Sequence, residues 1–394
     1  MLIRKLKEEE REAYRKLSRY AFETSNNTYE NLVMPGKSRP MDQFYGAFEK
    51  DLLVAASGVV PFDVKVRSSV FKMGGIDGVA SKPEYRNRGI VREILVKIFQ
   101  DLYETQFPIS ILYPFKVAFY EMLGYKLVDE AVLYQFEISD IICKKTNCHM
   151  KEVERINDDI RNVYQQATEN YDYIGLRTEM QWKRHYKNNY KFICYNGDQP
   201  EGYVIINFPK DNGNWLEDLR QTIVIRETLW LNHMAKQTIF NFLWSHRDQR
   251  KYIAGIFPLS ENIIDHLKTP RVEARKIIVN SLLRIIDVKS VLIGLKYPVD
   301  DFNILIQIHD KFCSWNNGFF KLTSKNKIIN TEFQNSVIGS IDLETDITYF
   351  AQLIVGYRTI KELLEFGFIS INQEKFELLQ KIFPKTHNNF IDDF

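Results

Sequence analysis

Gly78-Val79-Ala80-Ser81-Lys82-Pro83-Glu84-Tyr85-Arg86-Asn87-Arg88-Gly89-Ile90-Val91-Arg92 is the stretch on which the reading of this 394-residue chain turns. On its N-terminal side, 72–79 reads as a strand holding Gly74, Gly75 and Gly78. Glycine inside a strand marks a bulge or a close backbone approach. On its C-terminal side, Ile90, Ile94, Ile98 and Leu102 recur every four residues, which predicts a helix over 89–102. A strand thus runs into a short turn that opens a helix. The first-turn N–H groups of a helix have no intrahelical partners, and the helix dipole adds positive potential there. Arg86, Arg88 and Arg92 surround that point, and Gly89 lets the backbone approach closely. Such a place suits a pyrophosphate.

Outward from this stretch, the first block predicts a mixed α/β sheet. Leu6, Tyr14, Leu17 and Ala21 fall at helical spacing, so 6–22 is expected to be an amphipathic helix. Strands are expected at 44–48, 52–60 and 64–71, with Pro61 ending the second. A buried strand at 109–113, a short helix at 117–123 ended by Gly124 and a strand at 127–136 follow. The polar run 142–147 reads as a boundary. From 150 to 281 the pattern partly repeats: a helix over 153–170, strands at 192–195 and 202–206 around Asn196-Gly197, a helix over 231–245 and a strand at 252–257. No glycine-rich loop like the first recurs there. In the last third, 283–288 is followed by strands at 304–307 and 319–323 about the hairpin signal Asn316-Asn317-Gly318. A strand is expected at 337–343 and helices at 348–355, 359–366 and 376–382, the second marked by a Thr359/Glu362 capping box. The tail carries three apolar residues, Phe390, Ile391 and Phe394, which a merely solvated end would not need.

Composition narrows the function. The apolar fraction is 45% and the charged fraction 26%, the balance of a soluble globular protein. Lys plus Arg number 53 against 51 Asp plus Glu, a net charge of +2, which argues against nucleic acid as a partner. Cys143, Cys148 and His149 form the one local cluster of ligand-type residues, but it lacks the second pair a zinc site needs, so no metal is expected. The charged run 1–11 has no apolar core of a signal peptide, and the longest apolar run, between Asp51 and Asp63, is too short to span a bilayer. No membrane partner and a cytoplasmic location are expected. His-Glu-x-x-His, Gly-x-Ser-x-Gly and Gly-x-Gly-x-x-Gly are missing, and Gly36-Lys37-Ser38 fails as a P-loop because Asn31 stands where glycine is required.

Arg86-x-x-Gly89 after a strand, with Pro83 before it, resembles the acetyl-CoA pyrophosphate loop of the GNAT N-acetyltransferases. That loop usually reads Arg/Gln-x-x-Gly-x-Gly/Ala. Val91 departs from it and fits the Eis (enhanced intracellular survival) branch, where an apolar residue is usual. Phe119-Tyr120-Glu121-Met122-Leu123-Gly124-Tyr125 resembles the family's Phe-Tyr-x-x-x-Gly-Tyr/Phe segment. Leu283-Arg284-Ile285-Ile286-Asp287-Val288, Gly356-Tyr357-Arg358-Thr359 with Glu362-Leu363-Leu364, and Asp392-Asp393-Phe394 are also similar to Eis segments, so the resemblance runs the length of the chain.

The resemblance implies tandem GNAT-type mixed sheets, α/β (α+β) in class, followed by a sterol-carrier-protein-like domain. The implied boundaries are 1–149 for a GNAT domain binding acetyl-CoA, 150–281 for a degenerate GNAT-like domain, and 282–394 for a domain ending in the catalytic C-terminus. It further implies that the backbone of Val79, Ala80 and Ser81 pairs with the pantetheine arm. The turn Asn87, Arg88, Gly89, Ile90, Val91 and Arg92 would hold the pyrophosphate, and Phe115 and Lys116 would flank the cofactor near the thioester. Tyr120 would be the general acid and the α-carboxylate of Phe394 the base. The implied reaction moves an acetyl group to the primary amine of a small molecule, an aminoglycoside or other polyamine, in a homohexamer. A free thiol has a pKa of ~8.5 and tyrosine ~10, so protonation of the leaving thiolate by Tyr120 is close to balanced. A non-catalytic protein binding acyl-CoA or lipid is the alternative, and CoA affinity without turnover would mark it.

Overall fold

The computed structural model describes the chain apart from residues 23–38, 180, 183–188, 210–217, 337–338 and 393–394. The chain divides into two compact units, one formed by Met1–Val128 with Ser281–Thr386, the other by Asp129–Asn280 with His387–Asp393.

The first unit holds two sheets. In one, Leu2–Lys5, Phe44–Glu49, Leu52–Val66 and Ser69–Ser81 pair antiparallel in that order, and Ser69–Ser81 then pairs parallel with Ile109–Leu112. The last residues of the strand Ala274–Ile285 close it: Leu282 to Ile285 lie antiparallel to Leu112 to Ile109. The helix Ile90–Glu104 crosses between the two parallel strands, as the four-residue spacing predicts. It buries Ile90, Ile94, Leu95, Ile98, Phe99 and Leu102 in one core with Val54, Val59, Ile76 and Leu112. Each such side chain contributes about 1.5–3 kcal/mol on leaving water. The second sheet has the order Ile328–Gln334, Gly318–Lys325, Phe302–His309, Leu343–Asp346, Ile369–Ile371, with one parallel pair at its centre. Val288–Gly294, Ile347–Ile354, Ile360–Glu365 and Phe376–Ile382 are helices that accompany it, and the Thr359/Glu362 capping box forms.

The other unit repeats the plan. Glu137 to Ala131 lie antiparallel to Tyr252–Pro258, which is parallel to Thr222–Trp230. Gln199–Asn207, Tyr190–Asn196 and His149–Val153 continue the sheet antiparallel. Asp158–Ala167 and His233–Trp244 are its helices.

Several expectations are corrected. The first helix begins only at Arg11; Leu2–Lys5 is a strand, and Leu6 N–H donates to Phe44 O at 2.8 Å in continuation of that pairing. Pro61 does not end its strand, which runs to Val66. Pro61 lies beyond the ladder to Phe44–Glu49, which stops at Gly58. The turn falls instead at Arg67-Ser68, both with positive φ, as a two-residue hairpin needs. The helix expected over 153–170 is Asp158–Ala167, started by the Asn157 side chain accepting from Ile160 N–H, and a strand precedes it. Thr222–Trp230 and Ile328–Gln334 are strands with no counterpart in the sequence reading. The strand expected over 337–343 is Leu343–Asp346, and 337–338 lie outside the described residues.

Candidate active site

The two parallel strands pair only from Met73 to Ile76 against Ile109 to Leu112. Beyond that register Ile109–Leu112 has ended, while Ser69–Ser81 runs on through Asp77, paired on its other side with Ala55, Ala56 and Gly58. Among the described residues no strand pairs with Val79, Ala80 and Ser81 from the parallel side, an edge of the kind to which an amide-bearing chain can add.

The chain then makes the short 3-10 turn Pro83–Tyr85 and reaches Gly89 through Asn87. Asn87 has φ +60° and Gly89 φ +78°. Asparagine tolerates this left-handed backbone and glycine is at home in it. Gly89 is the N-cap of Ile90–Glu104 and supplies no side-chain cap, so the first N–H groups of a fifteen-residue helix are not taken by the chain's own cap. Arg86, Arg88 and Arg92 are exposed around it, and Arg88 lies over the Tyr85 ring, 5.0 Å from its centroid. The corresponding turn of the second unit differs. There Asn232 caps His233–Trp244 by accepting from Ala235 N–H at 2.9 Å, and its amide donates to Glu201 at 3.0 Å. A self-capped helix start beside a carboxylate does not favour an anion.

Tyr120 sits in Val117–Glu121, which closes in a Schellman turn: Gly124 N–H donates to Glu121 O at 3.0 Å and Tyr125 N–H to Tyr120 O at 3.2 Å, with Gly124 at φ +86°. The Tyr120 side chain is 2% exposed. Phe119, Phe115 and Tyr125 meet its ring edge-on, with centroids 5.0, 5.5 and 6.1 Å away. Burial pushes its phenol well above the ordinary tyrosine value, so it carries its proton throughout the physiological range. Phe115 is 73% exposed, and Lys116, also exposed, is the N-cap residue of the Tyr120 helix. Phe394 lies outside the described residues.

Sequence reasoning passed over the groups beneath this turn. Tyr125 shares a hydrogen bond with Ser110, and Arg284, fully buried, donates to Leu123 O. A run such as Leu-Arg-Ile-Ile, one cation in an apolar strand, is the signal that could have pointed to Arg284. In the second unit the tail is pinned by Arg177, whose guanidinium binds both Asp392 and Glu227. Tyr164 donates to Asp392 at 3.1 Å. Among the described residues no group of His, Cys, Asp and Glu could hold a metal ion, and no helix is long and apolar enough to cross a membrane.

Comparison with known proteins fits this geometry. Residues 2–128 match the family model "Acetyltransferase (GNAT) domain", residues 173–285 a second model of that description, and residues 288–391 the "Sterol carrier protein domain". No curated protein matches the chain in sequence. Among solved structures, an Enterococcus faecalis V583 protein described as "Probable N-Acyltransferase" superposes with a TM-score of 0.87 at 23% identity, over 100% of this chain and 99% of that one. A GCN5-related N-acetyltransferase from Anabaena variabilis gives 0.86 at 20% identity, over 100% of both chains. Eis1 from Mycobacterium abscessus gives 0.77 at 16% identity, again over 100% of both. At such identities the likeness to these structures is one of fold, and the family models supply the chemistry. The chain is an acetyltransferase of the GNAT type, two GNAT domains followed by a sterol carrier protein domain, in a fold that it shares with Eis1.

Proposed function

We propose that the protein moves the acetyl group of acetyl-CoA to the primary amine of a small polyamine, aminoglycosides included, and that residues 1–149 form the domain that binds the cofactor. Residues 150–281 form a degenerate copy that binds none, and residues 282–394 a sterol-carrier-like domain that ends at the catalytic carboxylate. Val79, Ala80 and Ser81 pair with the pantetheine arm through their backbone. Asn87, Arg88, Gly89, Ile90, Val91 and Arg92 hold the pyrophosphate. Phe115 and Lys116 flank the thioester. The amine nitrogen attacks the thioester carbonyl, a C–N bond forms, the C–S bond breaks, and the amine loses one proton while the thiolate gains one. Tyr120 gives the thiolate its proton, and the α-carboxylate of Phe394 takes the proton of the amine. The assembly is a homohexamer in the cytoplasm.

The observation that carries this reading is the union, in one compact unit, of the open edge at 79–81, the uncapped helix start at Gly89 and the buried Tyr120. The raised pKa of Tyr120 does not count against it. A thiolate leaving in the same low-dielectric place is raised by the same desolvation, so the two stay matched. Thiol release from acetyl-CoA, followed across a panel of primary amines with oligoamines and aminoglycosides among them, tests it. Turnover with some of these amines is expected. Tight CoA binding without thiol release from any of them would turn the reading to the non-catalytic alternative.

A further inference from the structure

We propose that Arg284 is a positioning residue for the acetyl transfer: pinned by Asp310, it holds the turn that carries Tyr120. The inference rests on the reading of Tyr120 as the proton donor. Arg284 and Tyr120 are far apart in sequence and belong to different family models, yet Arg284 Nη1 donates to Leu123 O at 2.6 Å, and Leu123 N–H in turn donates to Tyr120 O at 2.9 Å. Leu123 is the last residue of the Schellman turn before Gly124. Its carbonyl points out of the turn and is otherwise one of the orphan acceptors at a helix end.

The guanidinium fits that turn closely. A Cβ at Gly124 would stand 1.5 Å from Arg284 Nη1, so glycine is required there for space as well as for its φ of +86°. On its other side Arg284 Nη2 donates to both oxygens of Asp310 at 2.8 Å, and to Cys313 Sγ at 2.9 Å. Asp310 is itself locked: it accepts from Phe312 N–H at 3.0 Å, Cys313 N–H at 3.1 Å and the Asn316 amide at 3.1 Å. The guanidinium also lies over the Phe99 ring, 4.5 Å from its centroid. Arg284 and Asp310 both have fully buried side chains. A buried ion pair seldom stabilises a fold more than apolar side chains of the same volume would. What such a pair does supply is a fixed direction for its hydrogen bonds. Here that direction is onto the turn bearing Tyr120.

The test is a double-mutant cycle in the full chain, with kcat and KM for acetyl-CoA read by thiol release. Arg284→Met is expected to lower kcat about tenfold or more and leave KM for acetyl-CoA within about twofold, because misplacing an acid costs rate rather than binding. Arg284→Lys, which keeps the charge but offers one nitrogen for both Leu123 and Asp310, is expected to fall between. In the Tyr120→Phe background Arg284→Met should cost less than about twofold more, because its effect runs through the missing hydroxyl. If Arg284→Met does not fold, the same cycle is run with Arg284→Lys. A slow Tyr120→Phe enzyme together with an Arg284 variant of unchanged kcat, or with losses that multiply in the double variant, overturns the positioning role and leaves the Tyr120 reading standing. A Tyr120→Phe enzyme as fast as the wild type removes both.

Discussion

The hydroxyls of Ser110 and Tyr125 lie 2.7 Å apart, both fully buried, and Ser110 Oγ is also 2.9 Å from Gly74 O. One hydrogen bond thus ties Ile109–Leu112, the strand parallel to Ser69–Ser81, to the residue that closes the Tyr120 turn. Ser110→Ala strands the Tyr125 hydroxyl in a place without water and should cost about 1–3 kcal/mol. Adding Tyr125→Phe removes the stranded group and should return part of that loss. Denaturant unfolding of the three variants checks the order, and a double variant less stable than Ser110→Ala would contradict it.

Gly89→Glu places a carboxylate at the uncapped helix start and a Cβ 2.8 Å from Arg92 Nη2 at a left-handed φ. CoA affinity should fall about tenfold or more, the equivalent of ~1.4 kcal/mol. Calorimetry on the folded variant measures it. The same titration of the wild type should give one CoA per chain, because the second helix start is capped by Asn232.

Tyr120→Phe keeps the ring in its aromatic cage and removes only the hydroxyl. We expect kcat to fall by about two orders of magnitude with CoA affinity unchanged. Since burial raises the Tyr120 phenol, no alkaline loss of kcat near the ordinary tyrosine value should trace to it. A limb there that vanishes in Tyr120→Phe would show that Tyr120 ionises earlier than its burial allows.

Asp129 is buried in the second unit, where it accepts from the Asn280 amide and from Phe390 N–H at 3.1 Å. Burial pushes its carboxyl up to about 7, and those two hydrogen bonds only partly oppose the shift. With the folded pKa raised, the stability that the group contributes is complete below its unfolded value of ~3.9 and is lost as pH rises through about 7. Asp129→Asn should therefore gain on the wild type as pH is raised from about 4 to about 8, by at most ~1.4 kcal/mol per unit. Thermal unfolding of both proteins across that range reads the difference, and a difference independent of pH would show that Asp129 keeps one protonation state throughout.

Residues appended after Phe394 move its carboxylate along the chain by up to ~3.3–3.6 Å each. A C-terminal tag should lower turnover on the order of a hundredfold, whereas an N-terminal tag should leave it unchanged. Equal rates for both tagged forms, at equal CoA affinity, would assign the base elsewhere.

Local patterns were the readable part of this chain. The four-residue spacing of Ile90, Ile94 and Ile98 marks a helix because one stripe faces a sheet, and Phe376–Ile382 falls where its apolar spacing and Pro384 put it. Pro61 misleads because a proline is tolerated in a strand wherever its nitrogen is not asked to donate, and the strand partners that decide this are not local in sequence. In Thr222–Trp230 the inward alternation of Ile223, Ile225 and Leu229 is broken by Glu227, whose burial depends on Arg177 fifty residues away. For the candidate site, the turn at Gly89 and the Tyr120 segment could be read because each is contiguous. Ser110 carries no such local signal, and the lone cation in Leu-Arg-Ile-Ile marks Arg284 without naming its partners, because those are fixed only once distant strands have paired.

The strand edge at Ile109–Leu112 has one further consequence, for the newborn chain. Its antiparallel partner, Leu282 to Ile285, leaves the ribosome about 170 residues after Leu112, roughly 10–30 s later at ~5–20 residues per second. For that interval the N-terminal sheet has been made but has an open, apolar flank, the kind of surface on which nascent chains cross-pair. The N-terminal GNAT sheet is thus among the first parts of the protein to be synthesised and among the last to be finished. Residues 1–128 released on their own should aggregate, and residues 281–386 supplied in trans should rescue them.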